Sequence, residues 1–287
     1  MHEATNIKVV LFLVKQPMIK NVYKVKDLRI RSVFHFKLLE KVIFPFQKKY
    51  IKSLPSNILL SPEALVEKYP LRIRLKSVDD PNDISFIDEE ITKNRGLKMS
   101  FSIRNLVVFK SKIIHAHHEK GAYSFINLHP ADTEIIRGLD GPFWTHYYNY
   151  PYTTTMHVID KGIDTGGVID HVSTPLDSLN SIADYPLCSA EKTSNMIFKH
   201  ICFCSSSAAK KNVKYLKPNK SNSKYYATPT KEKVQEVLDR GISIIDPLAS
   251  KKFILDNYAN KIMAPKQYEE LDIKLENTIR EFDFIGN

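Results

Sequence analysis

Asn127 and His129 occupy alternate positions in the run Phe125-Ile126-Asn127-Leu128-His129, which stops at Pro130. Alternate positions on a strand project from one face, so the two side chains reach the same side of a sheet. An Asn amide donates hydrogen bonds without charge, and an imidazole donates, accepts or carries a proton near neutral pH. Together they can hold a developing oxyanion and move a proton. The same spacing also fits an Asn that satisfies turn backbone and a His packed at a strand end. A third polar group, Asp164, lies in Gly162-Ile163-Asp164-Thr165-Gly166-Gly167, a stretch built to turn tightly. A carboxylate there can pair with His129, raise its pKa and orient the ring, or serve only as an Asx turn. Asp164-Thr165-Gly166 also matches the aspartic-protease triplet. That chemistry needs two carboxylates sharing a proton, so this chain, with one triplet, would have to dimerise.

Strand ends and tight turns must position these groups. Ile7 to Val14 is an apolar run of strand length, interrupted only by Lys8. No glycine follows it until Gly96, which disfavours a glycine-rich phosphate loop. Residues 33–53 read as a helix kinked at Pro45. Asn57 to Leu60 reads as a short strand, and Ser61-Pro62-Glu63 starts a helix. Leu71, Ile73 and Leu75 alternate with basic residues, as on a strand. A helix over 84–95 closed by Gly96, a strand over 97–103, a helix over 106–119 and a strand over 122–128 follow. This alternation predicts crossover helices and ligands beyond the carboxyl ends of the strands. After Pro130 the pattern gives a short helix over 141–149, paired strands over 153–160 and 168–174, and a helix over 190–203. Thr230 caps a last clear helix that stops at Gly241. The expected fold is α/β, a Rossmann-like mostly parallel sheet with flanking helices and a small helical C-terminal extension. Residues 1–175 are expected to form the catalytic domain. Residues 176–287 would form the extension, with a Ser/Lys-rich linker at 205–224.

An apolar fraction of 43% in 287 residues is ordinary for a globular protein. The run Val9–Val14 is too short for a membrane span and lacks signal-peptide order, so a cytoplasmic protein is expected. Cys188, Cys202 and Cys204 read as buried free thiols, and His115, His117 and His118 do not converge with His129 as metal ligands, so no metal is expected. The net charge of +10 is concentrated: residues 1–60 carry +9, residues 210–224 carry +6, and the remainder is net acidic. Solvated faces explain this, and so does an anionic partner such as a nucleotide phosphate or RNA.

In order along the chain, Asn127-Leu128-His129-Pro130, Arg137-Gly138, Trp144, Thr155-Met156-His157 and Gly162-Ile163-Asp164-Thr165-Gly166 resemble the signature of the folate-dependent formyltransferases. Ser102-Ile103-Arg104 and the segment ending at Phe109 are similar to the strand and loop that line the folate pocket there. Tyr225-Tyr226-Ala227-Thr228-Pro229-Thr230 and the helix after it look like the closing segment of the sugar N-formyltransferase branch. The resemblance spans roughly residues 70–240; the first 60 residues are not recognisable. It implies transfer of a formyl group from N10-formyltetrahydrofolate to an amine, without a metal. Asn127 and a protonated His129 would hold the oxyanion, and Asp164 would keep His129 charged and take the amine's proton. Ser102, Ile103, Arg104, Phe109, Gly162, Ile163, Thr165 and Gly166 would meet the folate. Arg137, Trp144, Tyr147 and His157 would meet the amine. The family's usual Ser-Leu-Leu-Pro is replaced by Ala131-Asp132-Thr133-Glu134. The glycine-poor first loop argues against glycinamide ribonucleotide, and residues 205–287 are too short and too helical for the barrel of the methionyl-tRNA members. The favoured substrate is an amino sugar linked to a nucleotide, with lysines and arginines of the basic segments meeting the diphosphate. Nucleic acid is not the expected partner, and a homodimer is left open. Hydrolysis of the same folate and a non-catalytic nucleotide- or RNA-binding module are the rival readings.

Overall fold

The computed structural model describes residues 9–14, 23–50, 60–85, 99–103, 106–119, 125–177, 181–205, 223–258 and 264–282. The expected strand at 57–60 lies outside them save its last residue, as do most of the expected helix at 84–95, Gly96, Arg104, Asn105 and most of the 205–224 linker. Contacts gather the chain into two compact units. The first draws on residues 1–15, 26–79 and 244–287, and the second on 16–25 and 80–243.

In the first unit, β1 (Val9–Val14) pairs in parallel with β2 (Ile73–Val78) over six positions. Helix α1 (Lys26–Leu38) runs through a π turn, Leu39–Ile43, into α2 (Phe44–Tyr50). Proline has no N–H to give, and the helix widens just ahead of Pro45: the Phe44 N–H bonds to Leu39 O. The kink expected at Pro45 is this π turn. Helix α3 (Pro62–Lys68) begins as its sequence dictates, with the Ser61 hydroxyl accepting the Ala64 N–H at 3.0 Å.

In the second unit, β3 (Ser100–Ile103), helix α4 (Ser111–His118), β4 (Phe125–His129), β5 (Ile136–Gly138), helix α5 (Gly141–Tyr147), β6 (Tyr152–Val158) and β7 (Val168–Thr174) follow in order. The sheet runs β3-β4-β6-β7, with β3 and β4 parallel and the two later pairings antiparallel. After the short helix α6 (Tyr185–Cys188) come helix α7 (Ala190–Ser205), β8 (Lys224–Tyr226) and helix α8 (Lys231–Asp239). Strand β8 adds to β5 in parallel.

Strand alternation sorts the core. Phe125 packs with Ile113, Ile114 and Ile159 against α4. Ile126, Leu128 and Met156 face the other way, onto Met196 of α7. Asn127 and His129 share Phe125's face.

The C-terminal helices α9 (Pro247–Tyr258) and α10 (Pro265–Arg280) belong to the first unit. Ile254, Leu255, Leu271 and Leu275 bury themselves with Phe34, Leu38, Val42 and Ile43. The contacts therefore do not follow a division at 175, because the apolar stripes of α9 and α10 find their partners near the chain's start. The three cysteines are free, but Cys202 is exposed and the other two are half-buried rather than buried.

The His117 ring stacks on Phe125 at 4.0 Å, its Nδ1 lies 3.1 Å from Ser100 Oγ, and burial pushes its pKa down to about 4. Its ordinary value is near 6.5, so below that pH the unfolded chain binds the proton that the fold refuses. Stability should therefore fall as pH drops from about 6.5 to 4, with His117 contributing about 2–3 kcal/mol of the loss. Denaturant midpoints at several pH values should show a shallower decline for His117→Phe than for the parent.

A Cβ at Gly166 would sit 1.8 Å from the Val158 carbonyl oxygen, whereas at Gly241, with φ at 75°, nothing lies within 4 Å. Gly241→Ala should cost only the left-handed strain, about 1–2 kcal/mol. Gly166→Ala must move backbone, and thermal unfolding should show the larger loss there.

Candidate active site

The end of β4 delivers Asn127 and His129 side by side to a single carboxylate, that of Asp164. The Asn127 Nδ2 donates to Asp164 Oδ1 at 3.3 Å, and His129 Nδ1 lies 3.4 Å from Oδ2. The Gly138 N–H of β5 donates to Oδ2 at 2.9 Å, and His157 Nε2 of β6 lies 3.5 Å from Oδ1. Four groups from three strands thus meet one acid held on the loop between β6 and β7. Register explains the convergence. Asn127 pairs with Ser102 on one side and with His157 on the other, giving a polar row across three strands. The Thr155 hydroxyl, opposite His129, donates to Ala131 O at 2.7 Å and holds the chain as it leaves β4.

Asp164 reaches this position with φ at 51°, a left-handed conformation that Asp tolerates better than most residues. Its carboxyl is nearly buried. Burial alone would raise its pKa, but the His129 ring, the hydrogen bond from His157 and the Gly138 N–H outweigh it and hold the value near 2. His129 responds the other way. Complete burial pushes its pKa below the ordinary histidine value, against the pull of Asp164. Burial thus opposes the standing charge expected on His129, and Asp164 favours it. Its Nε2 lies 3.1 Å from Ile136 O and its Nδ1 faces Asp164, so an arriving proton finds an oxygen at both nitrogens. That arrangement suits transient protonation.

Of the other expected site residues, Ser102 is buried beside Asn127 and its Oγ has no hydrogen-bond partner among the described residues. Ile103 and Ile163 expose 59% and 44% of their surface, a large apolar area next to polar groups. Phe109 packs on Phe125 with ring centroids 4.7 Å apart. Gly162, Thr165 and Gly166 shape the loop around Asp164, and Arg104 lies outside the described residues. The Arg137 Nη2 donates to Ser223 O at 3.3 Å, while its buried Nε has no partner among the described residues. Trp144 is buried, and its indole N–H donates to Ala227 O at 2.9 Å. The Tyr147 hydroxyl bonds Glu236 and Lys233 of α8. Trp144 and Tyr147 thus brace the segment 224–240, where the Tyr226 ring lies 4.9 Å from that of Trp144 and Arg240 Nη1 reaches Tyr147 O at 2.7 Å. His115, His117 and His118 part company, pairing with Glu119, Phe125 and Ile159 O respectively. Among the described residues no group of three or more His, Cys, Asp or Glu is arranged to hold a metal ion, and no helix is long and apolar enough to cross a membrane.

Two participants were not among the expected site residues. One is the Gly138 N–H, a backbone donor whose only sequence signal is a glycine, with φ at 97°, after Arg137. The other is Asp160, whose Oδ1 accepts from Gly162 N and Thr165 Oγ1 at 3.0 and 2.6 Å. Its signal is an Asp two residues before a glycine.

No protein-family model matches the chain, and no curated protein matches it. Solved structures do. The chain is similar to the formyltransferase PseJ from Anoxybacillus kamchatkensis, solved with UDP-4,6-dideoxy-4-formamido-L-AltNAc and tetrahydrofolate: 18% identity over 62% of this chain and 88% of that one, TM-score 0.46. It is similar to a 4-N formyltransferase from Francisella tularensis, with 18% identity over 92% and 85% of the two chains and a TM-score of 0.43. A phosphoribosylglycinamide formyltransferase from Anaplasma phagocytophilum matches at 14% identity over 62% and 76%, with a TM-score of 0.37.

Proposed function

We propose that the protein transfers a formyl group from N10-formyltetrahydrofolate to a primary amine, and that the amine belongs to a nucleotide-linked amino sugar. One observation carries the reading: Asn127, His129 and His157 converge on a mostly covered, ionised Asp164. Acyl transfer to nitrogen needs a donor for the carbonyl oxygen as charge builds on it, and a path for the proton the amine loses. The folate supplies the formyl carbon and the nitrogen that leaves. The Asn127 amide has two N–H bonds. One is given to Asp164 and the other faces His157 Nε2 at 3.2 Å, so the second is the one to turn to the formyl oxygen. The His129 ring takes on charge when the oxyanion needs it. Asp164 binds a proton weakly, so it relays rather than keeps it. The amine's proton passes on to the departing nitrogen as the new C–N bond forms and the old one breaks.

The buried Ser102 Oγ, without a partner among the described residues, and the exposed side chains of Ile103 and Ile163 fit a flat heterocycle with polar edges. The amine side rests on Arg137, whose Nε lacks a partner among the described residues, and on the exposed rings of Tyr148, Tyr150 and Tyr225. The planar fork of a guanidinium suits an anionic group such as a diphosphate. Tyrosine rings suit a base or sugar.

Incubation with N10-formyltetrahydrofolate and a panel of amino-sugar nucleotides should add the mass of one formyl group to an amine. Formate released with no amine present would indicate hydrolysis instead. Asp164→Asn and His129→Ala should each lower kcat by roughly 10²–10⁴-fold, and Asn127→Ala by roughly 10²–10³-fold. Folate affinity, read by fluorescence titration, should change far less. Turnover near the parent level in either of the first two variants would defeat the assignment.

A further inference from the structure

The loop carrying Asp164 is closed by a residue that the proposed chemistry leaves unused. Asp160 follows directly on a fixed platform: the Ile159 N–H donates to Phe125 O at 3.0 Å, and His118 Nε2 lies 2.7 Å from Ile159 O. From there a single oxygen, Asp160 Oδ1, accepts the Gly162 N–H and the Thr165 hydroxyl. These two donors flank Asp164 on either side. Gly162 must be glycine for this closure, since a Cβ there would meet Thr165 Oγ1 at 2.0 Å. Between the two tied points the chain has little freedom left, and Asp164 takes its left-handed turn there.

We propose that Asp160 is a positioning residue: by tying Gly162 to Thr165 it fixes the turn that aims the Asp164 carboxylate at Asn127, His129 and the Gly138 N–H. It acts through Asp164 rather than on a substrate. The assignment rests on the proposed function only for its consequence in turnover; the geometry it claims can be read without any substrate.

The test turns on opposite signs. Removing the Asp160 charge alone would make the neighbouring carboxylate easier to ionise, lowering the Asp164 pKa. Losing the aim of Asp164 would strip it of the donors that hold that pKa near 2, raising it. Carbon-detected NMR titration of the Asp164 carboxyl separates the two. Asp160→Ala should raise the Asp164 pKa by more than one unit. Asp160→Asn, which keeps an acceptor oxygen but not the charge, should leave it at or below the parent value. Thr165→Val, which keeps the charge and removes one tie, should raise it by less than Asp160→Ala does. An unchanged or lowered value in Asp160→Ala would overturn the proposal, as would an equal rise in Asp160→Asn. If Asp160→Ala does not fold, the Asn and Val variants decide, and a lowered or unchanged value in Thr165→Val then overturns it. In formyl transfer, kcat should fall at least tenfold in Asp160→Ala and recover most of that loss in Asp160→Asn. Absence of turnover in the parent protein would defeat the proposed function while leaving the titration result standing.

Discussion

An ionised carboxylate with 12% of its side chain exposed is the feature on which the rest of the second unit depends. Left unpaired, such a group costs several kcal/mol in an interior of low dielectric constant. Here the cost is offset by donors drawn from β4, β5 and β6, so these strands can keep their places only together. The same exchange sets the chemistry. The charge that must be stabilised in the fold is the charge that orients Asn127 and steadies a proton on His129.

Much of this was legible because the informative signals are local. The period of two places Asn127 and His129 on one face, and the structure brings both to one acid. Ser61, Pro62, Thr230 and Gly241 mark helix ends through caps and left-handed turns that act within four residues, and the helices begin and end there. Glycines around Asp164 announce a tight loop, and Val158 O explains why Gly166 has no room for a side chain.

What the sequence did not disclose depends on distant partners. The helices after 245 join residues 34–43, and an apolar stripe does not say which other stripe it will meet. For His129 a neighbouring acid is visible in sequence order, while the burial that opposes its charge is not. The polar atoms of Trp144 and Tyr147 meet Ala227, Lys233 and Glu236, contacts about 80 to 90 residues away in the chain. A Trp N–H or Tyr O–H needs a partner when covered, and sequence alone cannot tell a ligand from a returning strand.

Direction of travel explains why the loop is built as it is. Strand β6 runs antiparallel to β4, so it finishes beside Ile126, at the opposite end from His129. A residue placed after β6 must therefore come back along the sheet to reach the end of β4. Gly166 lies against Val158 O, Asp160 ties the turn across its base, and Asp164 takes a positive φ: each shortens the return. A slip of one residue between β4 and β6 would set Met156 opposite Asn127 and turn His157 onto Met196's side of the sheet. Met156 opposes that slip, since it would be turned to the polar face while His157 was set beside the apolar Ile126 and Leu128. The core thus sets the register, and the register sets the site.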